Sequence, residues 1–595
     1  MALCQAVLLG LIALIITPGY LFFFDVTPKV VILLLGTAVL LPWPRAAVPR
    51  IFSFLMLLSL ASLALSTASS TRPGLSLMGA SWREFGLIPQ AAALLFAWTV
   101  AAAWGSARVI LRGVAVAGLA AGAYGIAQYF GWDPLLPASA YHIGEGIWTI
   151  VRPPGTMGYV SYFATWLTMT ALLGVALAQK EPTRAWRYLA WTSAAICTFA
   201  MALTGTRAAM LGLAAGAAVW LWLRRPPVTR RIAVAAALIV ITGAAFYFSP
   251  AGWNLRSRSR WFSEDPSGGG RLLLWRDALR MPTARPLVGF GPETFTAQFA
   301  RFESPELARR RPDFEWESPH NMFLDALAAQ GVPGLLALAA LCGAALWAGF
   351  RMPREPMTAG LTAALAAAIV SQQFSAMTIP TAVLTYVICG LLLGRAERRP
   401  AEARRRGKTA DLRLLPVSIV LAAFAIRLAA ADHSLALAQN RLKSGDSAAA
   451  GASYAAYRSR PVPGEFAADL WYSRASLELA EHAGNPAIRL QALIQAQAAA
   501  ARATQTSDDP FNAWYNLAAF DALRGDSAAA ESHLRLAIAA RPNWFKPHWT
   551  LARLLLLESR NAEAETEAAL ALSLDSGKHP EVSQTLSDVR ARLQR

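Results

Sequence analysis

The chain has 595 residues, of which 55% are apolar and only 15% charged, against about 25% charged in an ordinary soluble domain. That composition excludes one soluble globular domain of this length. The net charge of +18 invites a nucleic-acid reading, but most of the arginines lie between apolar runs, where they orient membrane helices.

Apolar runs fall at 5–24, 28–42, 51–68, 87–104, 109–131, 159–178, 186–204, 208–223, 232–248, 321–350, 356–374, 378–394 and 412–431. A run of ~20 apolar residues crosses a ~30 Å hydrocarbon core, so the pattern predicts an all-α membrane bundle of about 12–13 spans. The first run has no basic n-region and no small-residue cleavage site, and reads as a retained helix rather than a signal peptide.

Cationic residues then set orientation. With a cytoplasmic N-terminus, Arg45 and Arg50, Arg108 and Arg112, Arg184 and Arg187, Arg224 and Arg225, and Arg351 and Arg354 fall in inside loops, as does the basic run 395–408. The short outside loops carry only Lys29, Arg72, Arg83, Arg152 and Arg207. This asymmetry predicts that the loop 249–320 and everything after the thirteenth span lie outside. The inside loops are too short for a nucleotide-binding domain. Gly268–Gly270 lacks the Gly-Lys-Ser/Thr ending of a phosphate loop and reads as a flexible hinge. Cys4, Cys197, Cys342 and Cys389 sit singly in apolar runs and read as small core residues.

The predicted organisation is a membrane domain over 1–395, a basic linker and one more span over 396–432, and a repeat module over 433–595. In that module Leu517-Ala518, Ala530 and Ala537 recur as Leu551-Ala552, Ala564 and Ala571. The segment Gly445–Ala450 recurs word for word at Gly525–Ala530, and Pro461 and Pro542 follow. The spacing resembles the tetratricopeptide repeat, a helical pair that stacks into an array and offers a concave face to a protein partner. The plainer reading is a cap on the membrane domain.

Polar groups gather at the outer ends of the spans: Arg152 before span six, Arg207 between spans seven and eight, Arg271 and Arg276 in the long loop, Gly289 and Gly291, then His320 and Asn321. An arginine at a membrane border is costly unless it is paired or reaches water. A guanidinium fork suits phosphate. Arg207 therefore reads as an anion site with a snorkelling side chain as the plain alternative, and Arg271 and Arg276 add positive charge, Arg276 alone being read as a solvated helix face. Gly289 and Gly291 predict a tight turn with close backbone approach. His320 is the last polar group before an apolar run, and its ordinary pKa of ~6.5 lets it exchange a proton near neutrality. The acids Glu264, Asp265, Asp277, Glu293, Glu317 and Asp325 are scattered, which predicts no metal site and no cofactor.

Together these residues resemble the O-antigen ligase and polymerase superfamily with its Wzy_C signature. The resemblance lies in Thr204–Ala209, Arg271 with Trp275, Pro286–Phe295, His320–Leu324 and Gly331–Gly334, and covers roughly 1–395. Where many members carry Gly-Asn-Pro-Asn, this chain has Gly158-Tyr-Val-Ser161. The resemblance implies a bacterial inner-membrane enzyme facing the periplasm. It would move a glycan from an undecaprenyl-diphosphate carrier, without metal and with inversion. The acceptor is lipid A-core in ligases, another carrier-linked repeat in polymerases, and a protein serine or threonine in O-oligosaccharyltransferases. Arg207 and Arg271 would hold the diphosphate and His320 would be the base. Arg152, Arg276, Gly289, Gly291 and Asn321 would line the substrate path. Membrane lipids and a protein on the repeats are the other expected partners; nucleic acid is not. A lipid-linked-glycan transporter and a non-catalytic scaffold are the rival classes. The transporter would need ionisable residues at mid-membrane, whereas the charges here collect at helix ends.

Overall fold

A computed structural model describes residues 1–43, 48–137, 142–145, 148–227, 229–257, 270–397, 411–460 and 468–594. Arg45, Glu264, Asp265, Gly268, Pro461 and most of the basic run 395–408 lie outside the described residues.

The membrane domain begins with α1 (Ala2–Leu14), α2 (Thr27–Leu40), α3 (Arg50–Ala68), α4 (Leu87–Ala101) and α5 (Ala107–Tyr129). A short hairpin follows, β1 (His142–Glu145) paired antiparallel with β2 (Trp148–Val151). Next come α6 (Val160–Lys180), α7 (Arg184–Leu203), α8 (Arg207–Arg224) and α9 (Arg230–Phe248). The long loop holds α10 (Arg271–Ala278) and the short helix Pro305–Arg310. The membrane domain then resumes with α11 (Met322–Arg351), α12 (Pro356–Ser371), α13 (Ile379–Ala396) and α14 (Leu415–Lys443).

The fold is all-helical apart from that hairpin, and each apolar run contains a helix. Among the described residues, six helices are by length and composition able to cross a membrane: Arg50–Ala68, Trp104–Tyr129, Val160–Lys180, Met322–Arg351, Ile379–Ala396 and Leu412–Lys443. The apolar helices α1, α2, α4 and α12 are shorter, and at 1.5 Å per residue each covers only about 20–24 Å. The cause is local. In the run 5–24, Thr17-Pro18-Gly19 ends the helix early. The carbonyl of Ile15, left without a helical partner, accepts from Lys29 Nζ at 2.8 Å, and the same ammonium donates to the Asp25 carbonyl at 2.6 Å.

Helices α6 and α13 are almost wholly buried and form the bundle core. Glycines let helices close on one another: a Cβ at Gly212 would strike the carbonyl of Ala367, and one at Gly390 would press on Ala97 and Ala101. Helix α11 is broken. Gly331 sits at φ +69°, and Pro333 follows two residues later. The loop segment 286–291 satisfies the freed groups: Phe290 N donates to Ala328 O at 3.1 Å, Gly291 N to Ala329 O at 2.9 Å, and Val332 N to Pro286 O at 2.8 Å.

Helix α14 runs unbroken past residue 433, so the last apolar segment and the first helix of the C-terminal array are one element. The array continues through α15 (Ser447–Arg458), α16 (Ala468–His482), α17 (Pro486–Thr506), α18 (Pro510–Leu523), α19 (Ser527–Ala540), α20 (Phe545–Leu557), α21 (Asn561–Asp575) and α22 (Pro580–Leu593). Neighbours in sequence pack as pairs, with Ala530, Ala537, Ala564 and Ala571 buried between them. The array also seats on the long loop. Ala300 and Ala308 share an apolar cluster with Phe511, Trp544, Phe545 and Leu574. At its edge the buried Arg541 donates to Glu303 at 2.9 Å and to the Phe314 carbonyl at 2.8 Å.

Candidate active site

The chain entering α11 fixes His320. Asn321 caps that helix, its Oδ1 accepting from Phe323 N at 3.0 Å and Leu324 N at 3.1 Å. Met322 N donates to the Gln372 carbonyl at 2.9 Å, and Trp275 Nε1 of α10 donates to the Pro319 carbonyl at 2.9 Å. Between these anchors His320 adopts φ +50°, a left-handed conformation that costs a non-glycine residue about 1–3 kcal/mol unless its surroundings impose it. Ser318 Oγ accepts from His320 N at 3.2 Å and lies 3.3 Å from Nδ1.

His320 lines a cavity of about 360 Å³ together with Asp25, Lys29, Trp82, Arg83, Tyr159, Tyr162, Phe314, Glu315 and Glu317. Burial, with Arg271 and then Arg83 nearby, pushes the imidazole down to about 4. At neutral pH it is therefore uncharged, and its lone pair can accept a proton, less strongly than that of an ordinary imidazole. Glu317 moves the other way. Burial and the charge of Glu315 push its carboxyl up to about 7.

Arg83 is the fixed point of the site. Its guanidinium is buried and lies 2.5 Å from Glu293 and 2.7 Å from Asp325. It also donates to the Met377 carbonyl at 3.3 Å, and it lies 4.5 Å from the Trp82 ring. Burial opposes the charge, but Asp325 and Glu293 outweigh it and hold the guanidinium protonated. One side chain thus ties the segment after Pro73–Met78 to the long loop, to the first turn of α11 and to the start of α13.

The sequence-derived residues divide. Arg271, the first residue of α10, belongs to the electrostatic surroundings of His320. Gly289 (φ +64°) and Gly291 (φ +106°) do make a tight turn. What they approach is the chain itself: a Cβ at Gly289 would strike the broken part of α11, and one at Gly291 would strike Ser70 and Ser76. Arg276 is exposed and pairs with Glu306 at 2.6 Å and Asp277 at 3.1 Å. Arg152, Arg207, Arg271 and Arg276 do not line the His320 cavity. Arg207 opens α8 behind a turn in which Thr204 Oγ1 donates to Thr206 Oγ1 at 3.0 Å.

Sequence reasoning missed Arg83, Glu317 as a cavity wall, and the aromatic pair Trp82 and Tyr162. Arg83 counted only as an outside-loop arginine. The available signal was its place in Trp82-Arg83-Glu84, a charged pair between apolar segments. Gly158 and Tyr159, where the chain departs from Gly-Asn-Pro-Asn, lie on the cavity wall.

Fold and cavity define a multi-pass helical membrane protein with a polar chamber at one end of its bundle. A family model described as Wzy_C, O-antigen ligase, matches residues 192–339, so the chain carries a domain of that family. The match spans Arg207, Arg271, Gly289, Gly291 and His320. It supports a glycan-transferring membrane enzyme of the ligase or polymerase kind, with a lipid-linked glycan and an acceptor as substrates. No curated protein matches the chain at a significant level.

Proposed function

We propose that the protein faces the periplasm of a bacterial inner membrane and transfers a glycan from an undecaprenyl-diphosphate carrier to an acceptor hydroxyl, as O-antigen ligases do. The observation that carries this reading is geometric: His320, fixed at the entry to α11, lines a polar cavity, with Arg271 among the charges that act on it. In the proposed step the acceptor oxygen attacks the anomeric carbon from the face opposite the diphosphate. The bond from that carbon to the diphosphate oxygen breaks, and the hydroxyl proton passes to His320, general-base help worth ~10²–10⁴ in rate. A single displacement inverts the anomeric carbon. Arg271 stabilises the charge growing on the diphosphate, with Arg207 as the second cation on the donor path. Arg83 holds the chamber together, since its charge is already matched by two carboxylates. Trp82, Tyr159 and Tyr162 give sugar rings apolar faces to rest on.

The basic loops support this orientation. In this reading the donor reaches that side attached to lipid, as the family similarity suggests. The test is purified full-length protein given a polyprenyl-diphosphate oligosaccharide and a panel of hydroxyl acceptors. Transfer with an inverted anomeric centre and release of polyprenyl diphosphate supports the reading. A retained configuration would exclude the single displacement. Lipid A-core as acceptor would mark a ligase, a second carrier-linked repeat a polymerase, and a protein an O-oligosaccharyltransferase.

A further inference from the structure

A second cleft opens where the array meets the loop. Arg310, Arg311, Pro312, Asp313 and Phe314 of the loop face Lys578 and His579 of the array across about 440 Å³. Phe314 also lines the His320 cavity, so the two spaces share a wall.

The cleft is cationic by construction. Its acid, Asp313, is matched by Lys546 at 2.6 Å. Lys578 Nζ donates to the carbonyls of Arg309 at 3.0 Å and Arg310 at 2.9 Å, which pins the ammonium at the C-terminal end of Pro305–Arg310. Arg311 lies 5.5 Å from the Phe314 ring. His579 is held by Asp575 at 2.5 Å and stacks on Phe545. Burial pushes the Lys578 ammonium down. Asp575 pulls against this, and the charges of Arg310 and Arg311 push further, so the cations crowd one another. Neither part makes the cleft alone: the arginines come from the loop and the lysine and histidine from the array.

We propose that this cleft binds an anionic saccharide, holding carboxylate-bearing sugars of a substrate chain beside the His320 cavity. Guanidinium forks bind carboxylates through paired hydrogen bonds. An exposed cluster of like charges attracts an oppositely charged ligand in a salt-dependent way. The Phe314 ring supplies an apolar face between the two spaces. The array thereby completes a substrate site. The role in substrate positioning rests on the transferase reading above; the binding itself does not.

Binding is therefore measured without donor and without turnover, on full-length protein in detergent, using tetragalacturonate and neutral maltotetraose as probes. Tetragalacturonate should bind at least ten-fold more tightly than maltotetraose, and less tightly as salt rises. The Arg310→Gln/Arg311→Gln variant should lose at least ten-fold in that affinity while keeping its melting temperature. If the double variant does not fold, the Arg311→Gln single variant, whose recorded contact is with the Phe314 ring, is read by the same ratio. Equal affinity for the two probes, or undiminished tetragalacturonate binding by the folded variant, overturns the proposal. Failure of glycan transfer with binding intact would count against the transferase reading alone.

Discussion

Arg83 and Glu293 face each other at 2.5 Å with both side chains buried, although 209 residues separate them in the chain. Asp325 completes the set at 2.7 Å. Removing one partner of a buried pair leaves an uncompensated charge, at a cost of about 3–5 kcal/mol. Glu293→Ala should therefore lower the unfolding midpoint sharply in detergent. Arg590→Ala, at the exposed pair with Glu565, should leave it nearly unchanged. Equal effects from the two substitutions would remove Arg83 from its place as the structural hub.

The imidazole of His320 is pushed down to about 4, against ~6.5 when unfolded. Its folded-state pKa is depressed, so the neutral form's contribution to stability is full above about 6.5 and is lost as pH falls from there towards 4. For activity, kcat/KM reports the free enzyme. It should stay flat from pH 8 through 6.5 and decline only as pH approaches 4. An acid limb centred near 6.5 would contradict the buried, Arg271-flanked environment.

Away from the Arg310 cleft, where segment 507–512 meets the loop at Glu315, carboxyl groups gather. Glu317 is pushed up to about 7 by burial and Glu315, and Asp508 to about 6 by burial against the pull of Arg72. Raised carboxyl pKa values mean stabilisation that is complete below the unfolded values of ~4 and is lost as pH rises through about 6 and 7. Hydrogen exchange, corrected for its intrinsic pH dependence, should show segments 312–318 and 507–512 better protected at pH 5 than at pH 8.

The break in α11 should not tolerate a side chain. Gly331 sits at φ +69° with the Pro286 carbonyl where a Cβ would go. Gly331→Ala should cost at least the ~1–3 kcal/mol of left-handed strain. It should also reduce glycan transfer by disturbing the loop segment 286–291, which precedes Glu293. A variant with wild-type stability and transfer would show that the break is incidental.

Much of the helical layout was legible because apolar runs state it directly. The length of α1 was not, because it is decided by a short stop, Thr17-Pro18-Gly19, which a hydropathy window averages away. His320 and Arg271 were legible from their place at the end and start of the long loop. Arg83 was not, since its meaning lies in Glu293 and Asp325, which look scattered until the loop folds back. Gly289 and Gly291 were legible as a turn, but the surface they approach is this chain's own broken helix. The repeat spacing was visible; the seating of Arg541 on Glu303 depends on a loop far upstream.

The most direct measurement is glycan transfer by purified His320→Ala protein from a polyprenyl-diphosphate oligosaccharide, with donor binding measured on the same sample. The account predicts a fall in kcat of at least ~10² with donor affinity within a few-fold of wild type. Transfer at near wild-type rate by the folded variant would contradict it.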